Sequence, residues 1–179
     1  YVSVARDMYR KVCLTPLRKY SKVIERFMSD KQWTEIPYDR VPSISMKRNK
    51  SIFISRDKDR FDGYLEQVKK GKKTIKASAL NPHEMVEQVF NQKITEEAEL
   101  KTIQLQWEAY VKKMLESGTL DNCMAICDVS GSMYGTPICV AISLSLLVAD
   151  LAKEPFKGLL CTFSSTPELF KVPYGNLDT

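Results

Sequence analysis

The 179-residue chain is 44% hydrophobic and 27% charged with a formal net charge of +5, which places it among globular domains and excludes the disordered and fibrous classes. Its longest apolar stretch, Pro137 to Ala152, contains Asp150 and several serines and falls short of the roughly 20 apolar residues of a spanning helix, so no membrane partner is expected. The five cysteines form no C-x-x-C pair and predict reduced thiols, and no targeting signal opens the sequence, which is expected to begin inside a longer, intracellular protein of the cytoplasm or nucleus.

Thr15-Pro16 pairs a cap with a first-turn proline, and Leu17, Tyr20, Ile24, Phe27 and Met28 then recur at helical spacing. From Trp33 to Arg56, Pro37, Pro42 and mixed polarity predict a loop and then a short helix. Phe61, Tyr64, Leu65 and Val68 restore a helical stripe that Gly71 ends, and the lysines around that glycine predict an exposed basic loop. Asn81-Pro82-His83-Glu84 reads as N-cap, first-turn proline and capping-box acid ahead of Met85, Val86, Val89 and Phe90, which leaves His83 as a first-turn surface residue. Thr95, Glu96 and Glu97 open a further helix, with Leu100, Ile103, Trp107, Tyr110, Val111 and Met114 in steps of three and four before Gly118. No fixed-period repeat runs through this part.

After Gly118 the texture changes. Cys123 to Cys127 is a short continuous apolar run, the pattern of a strand buried on both faces of a parallel sheet. Pro137 starts a helix whose Ile138, Ala141, Ile142, Leu146 and Ala149 are suited to lie on that sheet. Leu159 to Phe163 supplies a second strand parallel to the first, Ser164 to Pro167 a turn, and Glu168 to Val172 a third strand antiparallel to the second. The fold class expected is α + α/β: an irregular all-helical region over 1–118, then a strand-helix-strand-strand unit over 119–179. Charge divides at the same place, with 24 Lys and Arg against 16 Asp and Glu (+8) before it and 3 against 6 (−3) after it.

Chemistry is concentrated in Asp128-Val-Ser130-Gly-Ser132-Met-Tyr-Gly-Thr-Pro137, where the first strand ends and before its helix begins, the place where open α/β sheets put their sites. A carboxylate and two hydroxyls at i, i+2 and i+4 present hard oxygen ligands, a set that suits Mg2+ or Mn2+ with water in the remaining positions. Ser130 stands where a haloacid-dehalogenase-type phosphohydrolase needs a second aspartate, and no Gly-Lys-Ser/Thr follows, so an enzyme is not expected. His83 as the sole histidine rules out a Ser-His-Asp triad on this chain, and Cys123 and Cys127 are read as core packing.

At Asp128, Ser130 and Ser132 the chain resembles the von Willebrand factor A type domain, a Rossmann-like fold whose metal-ion-dependent adhesion site uses an Asp-x-Ser-Gly-Ser loop after the first strand. The likeness covers about residues 119–179. It implies that the two hydroxyls ligate the ion directly, that the aspartate often acts through water, and that an acidic residue of a protein partner completes the coordination. The family also draws a threonine and an aspartate from later loops, which would lie beyond Thr179, so occupancy in this stretch alone is expected to be weak or absent. Thr15-Pro-Leu-Arg18, Trp33 to Pro42, Gly71-Lys-Lys73, Leu80 to Glu84 and Gln106-Trp107 are similar to an uncharacterised family of plant and large-virus proteins, of the domain of unknown function 2828 type. That architecture is similar to the Ro ribonucleoproteins, whose helical repeats bind RNA.

The basic helical half carries the alternative function. Arg40, Lys47, Arg48, Lys50, Lys69, Lys70, Lys72, Lys73 and Lys76 are candidate contacts to structured or single-stranded RNA, with Trp33, Tyr38, Phe53, Phe61 and Tyr64 interleaved as stacking surfaces for bases or, equally, as core.

Overall fold

The computed structural model describes residues 1–91, Ile94 and residues 96–172. Its architecture is α + α/β, a helical region followed by a small mixed sheet with one crossing helix.

Helix α1 (Val2–Tyr9) runs through a π turn (Arg10–Leu14) directly into α2 (Thr15–Tyr20). Pro16 accounts for the wider turn, because it has no N–H to offer and its ring collides with a carbonyl one α turn back. The Arg10 carbonyl accepts the Thr15 N–H and, at 3.0 Å, the Thr15 hydroxyl. Thr15-Pro16 therefore lies inside a helix rather than opening one. The chain then turns at Lys22 (φ 50°) into α3 (Ile24–Ser29), so the stripe from Leu17 to Met28 belongs to two helices, with Ile24 buried and Tyr20 exposed.

Two 3-10 turns (Trp33–Glu35 and Tyr38–Arg40) lead to α4 (Ser43–Lys69), 27 residues long with one non-helical residue, Asp57. This replaces the loop and short helix expected before Arg56. The inner face of its first half is Ser43, Met46, Lys50, Phe53 and Ile54, and the two polar members among them hide the period. At the break, the Asp57 carboxylate accepts the Tyr38 hydroxyl at 2.8 Å and Arg60 Nε at 2.7 Å, while Arg60 also donates to the carbonyls of Ile36 and Trp33. Gly71 (φ 69°) closes the helix in a backbone region that favours glycine.

Helix α5 (Pro82–Asn91) carries the expected capping acid, Glu84 Oε2 accepting the Asn81 N–H at 2.9 Å. Helix α6 (Glu97–Ser117) follows; Thr95, read as its opening residue, lies outside the described residues. One core gathers Phe53, Phe61, Leu65, Tyr38, Met46 and Leu105. A second joins Leu80, Met85, Ile103 and Trp107 to Leu146 and Leu147 of α7 (Thr136–Leu151), so the helical region and the α/β unit share it. Trp107 Nε1 donates to Asp150 Oδ2 across this seam at 3.0 Å; burial pushes the Asp150 carboxyl up, opposed by that bond and by Lys157.

The sheet has the order β1-β2-β3, with β1 (Ala125–Asp128) parallel to β2 (Leu159–Phe163) and β3 (Leu169–Lys171) antiparallel to β2. Ile126, Cys161 and Leu169 stand in one row across it. β1 starts later than expected: Cys123 lies before it and is exposed, whereas Cys127 is buried. Nor is β1 covered on both faces. Ile126 is 69% exposed, because α5 and α7 lie on the side of Cys127, Leu160 and Phe170 and nothing among the described residues covers the other. All five cysteines are free, and among the described residues no helix is long and apolar enough to cross a membrane.

Candidate metal centre

Asp128 ends β1 beside Phe163, which ends β2, and the parallel pairing brings the loops after both strands to one edge of the sheet. The Val129 N–H donates to the Phe163 carbonyl at 3.2 Å, fixing where the first loop leaves the sheet. A 3-10 turn (Gly131–Met133) then brings the chain back, with the Met133 N–H bonded to the Ser130 carbonyl at 3.0 Å. Gly135 (φ 91°) turns the chain into α7, whose first turn carries Pro137.

Within this bend the three expected oxygen-bearing side chains are neighbours. Asp128 Oδ1 accepts the Ser130 N–H at 2.9 Å, and the Ser130 and Ser132 hydroxyls are 3.1 Å apart. Hydrogen bonds from the Ser130 side chain and then its N–H hold the Asp128 carboxyl below its usual range. Among the described residues no three His, Cys, Asp or Glu side chains form a metal cluster, so the donors the loop offers are one carboxylate and two hydroxyls. Hard oxygens of this kind suit Mg2+ or Mn2+ and are poor ligands for a soft ion.

Two features at this edge are not evident from the motif. Tyr134 follows Ser132 by two residues and is 85% exposed at the rim of the loop. Ser164 lies in the adjacent loop after β2, its hydroxyl bonded to Thr166, and only the parallel register, which aligns the two strand ends, could have pointed to it. Behind the loop, a mostly apolar cavity of about 660 Å³ is lined by Val129, Cys127, Leu160, Val86, Ile142 and Leu146, with Ser145, Thr162 and Lys171 as its polar members.

The basic residues divide. Arg40, Arg48, Lys69, Lys70, Lys72, Lys73 and Lys76 are exposed, and Lys73 Nζ lies 5.9 Å from the Tyr64 ring centroid. Lys50 leaves the set of surface contacts: it is 2% exposed, donates to Gln88 Oε1 at 2.9 Å, and burial brings its ammonium down to about 8. Lys47 is half-buried and paired with Glu84 at 2.9 Å. Of the interleaved aromatics, Tyr38, Phe53, Phe61 and Tyr64 are core residues, with Tyr38 edge-on to Phe61 at 5.0 Å and to Phe53 at 5.3 Å, and so cannot stack on bases.

Residues 1–120 match the family described as Domain of unknown function (DUF2828), and residues 122–178 match that described as Domain of unknown function (DUF7788). The chain is 33% identical, over 183 aligned positions, to uncharacterised protein L728 of Acanthamoeba polyphaga mimivirus; the match takes in 94% of this chain and 31% of that protein. The chain thus spans about a third of its relative's length. No solved structure matches it.

Proposed function

This chain belongs to the DUF2828 family, and from that premise we propose that it is a non-catalytic binding protein whose Asp128, Ser130 and Ser132 take Mg2+ or Mn2+ and, through the ion, a carboxylate of a protein partner. The observation that carries the reading is the grouping of one carboxylate and two hydroxyls, the latter 3.1 Å apart, at the end of a parallel strand. Support also comes from the order of elements, strand, loop, helix, parallel strand and antiparallel strand, which resembles the start of a von Willebrand factor A type domain. Asp128 supplies the negative charge, its carboxyl lowered by the hydrogen bonds from Ser130, and the two serine hydroxyls lie 3.1 Å apart beside it. A bound divalent ion would supply the open coordination position that an acidic side chain of the partner fills.

Titration with Mn2+, followed by paramagnetic broadening of backbone resonances, tests this. Broadening confined to Asp128–Tyr134 and Ser164–Thr166, weakened at least tenfold in Asp128→Ala and reversed by EDTA, is the expected outcome. Uniform broadening along the chain, or an unchanged response in Asp128→Ala, would falsify the reading.

A second reading, RNA binding by the helical region, draws on the five exposed lysines from Lys69 to Lys76 around Gly71, with Arg40 and Arg48 as further exposed cations. The succession of a helical region and a metal-loop unit is similar to the Ro ribonucleoproteins, an architectural analogy. RNA affinity that falls steeply with salt, survives EDTA and drops when Lys69, Lys70, Lys72, Lys73 and Lys76 are changed to Gln favours it; affinity insensitive to salt counts against it.

A further inference from the structure

Three elements enclose the cavity behind the loop. Helix α5 contributes Val86 and Phe90, α7 contributes Ile142 and Ser145, and the covered face of the sheet closes the third side with Leu160 and Phe170. At about 660 Å³ it is far larger than the voids of a packed interior, which rarely exceed a water molecule, and it falls in the size range of pockets that take small ligands. Phe90 and Phe170 line it and are nevertheless 53% and 46% exposed, so their rings flank its opening.

One polar side chain in this lining stands apart. Ser145 follows Ile142 by about one turn on the same face of α7 and is 6% exposed. Among the described residues its hydroxyl has no hydrogen-bond partner, whereas that of Ser143 donates to the Val140 carbonyl at 3.0 Å. A buried hydroxyl left unpaired is unfavourable, so a molecule that brings it a partner gains from the contact. The other two polar members offer nothing equivalent. The Thr162 hydroxyl is already engaged, accepting the Glu168 N–H at 3.0 Å. Lys171 follows Phe170 along β3, and the alternation of a strand sends its side chain to the opposite face of the sheet. Water is a poor occupant, because it needs roughly two to four polar partners and finds one free here.

We propose that this cavity binds a neutral, largely hydrocarbon molecule that carries a single hydroxyl, an alcohol of the fatty type. Its body fills the apolar space between α5, α7 and the sheet, and its hydroxyl pairs with that of Ser145. At roughly 30 Å³ per non-hydrogen atom, a ten-carbon alcohol takes up about half of the cavity. A carboxylate of the same length is a worse fit, because the Ser145 hydroxyl alone cannot offset the desolvation of a full charge.

The test titrates 1-decanol, below its solubility limit, into the 179-residue chain by isothermal calorimetry, with decanoate at neutral pH as the charged counterpart of equal length. Saturable one-site binding of decanol is expected, with decanoate at least about tenfold weaker. Ser145→Ala should weaken decanol about fivefold and leave the urea midpoint of the chain unchanged, because the hydroxyl it removes holds no bond in the folded protein. Ile142→Phe, which adds bulk to the wall, should weaken decanol at least about tenfold with an unchanged circular dichroism spectrum. No saturable binding of decanol by the parent chain, decanoate bound as tightly as decanol, or an affinity for decanol that either variant leaves unchanged overturns the proposal. So does self-association of the chain, seen by analytical ultracentrifugation, that Ile142→Phe abolishes, since the cavity would then receive a second copy.

Discussion

Phe61 and Phe163 are the same residue type in two regions of one molecule. The first is fully buried in α4, against Tyr38, Phe53 and Tyr64; the second ends β2 with 60% of its surface exposed. Around Phe61 the helices and the 3-10 turns close a core from several sides, so Met46, Phe53 and Leu65 are as deeply buried as Phe61 itself. Around Phe163 the sheet has one covered face, and Ile126 and Leu169 on the other are as open as Phe163. Burial therefore follows the number of packed layers and not the hydrophobicity of the residue. The helical region carries its own core, whereas the α/β unit leans on α5 and α6 through the shared cluster at Trp107 and Leu146.

Mutations give that contrast a scale. Phe61→Ala should lower the unfolding free energy by about 3–5 kcal/mol in urea titration, and a loss below about 1 kcal/mol would erase the distinction between the regions. At the seam between them, Trp107→Phe removes the donor to the half-buried Asp150 and should cost about 1–3 kcal/mol; an unchanged midpoint would mean that the two regions are not coupled there.

Lys50 sharpens the comparison from the opposite direction, as a charge inside the better-packed region. Burial lowers its ammonium to about 8 from the ordinary 10.5, so between those values the folded chain has released a proton that the unfolded chain still holds. Stability from this group therefore rises with pH through that window and is at its poorest below about 8. Lys50→Met removes the buried charge but also the donor to Gln88 Oε1, about 1–3 kcal/mol in the opposite direction, so its stability relative to the parent chain should be most favourable below pH 8 and decline as pH climbs from 8 towards 10.5. A pH-independent difference would show that the ammonium is not desolvated. Smallest of all, Ile126→Ser on the bare sheet face should change stability by no more than about 0.5 kcal/mol, measured by the same titration.

The parts of the fold that were legible are those whose signal is local. The capping acid at Glu84, the glycine stop at Gly71 and the strand-loop-helix at Asp128 depend on neighbours within a few residues, and each stands where the spacing put it. The length of α4 was hidden, because its first half shows few apolar residues among serines, lysines and Asn49, and their role as an inner face appears only when α5 and α6 pack on them. Thr15-Pro16 misled for a related reason: a proline is read as a helix start when the wider turn that admits it cannot be seen. Of the candidate site, Asp128, Ser130 and Ser132 were legible from their spacing together with the strand before them, while the neighbouring loop that holds Ser164 required the strand register.

From the sequence by itself came the α + α/β order, the bend that gathers Asp128, Ser130 and Ser132, and the basic run at Lys69 to Lys76, since each depends on residue type and separation along the chain. Tertiary structure alone decided that Lys50 lies inside and Lys72 outside, that Ile126 faces away from the helices among the described residues, and that Trp107 ties one half to the other through Asp150. Burial depends on where a second element sits, and that position is set by contacts between residues far apart in the chain.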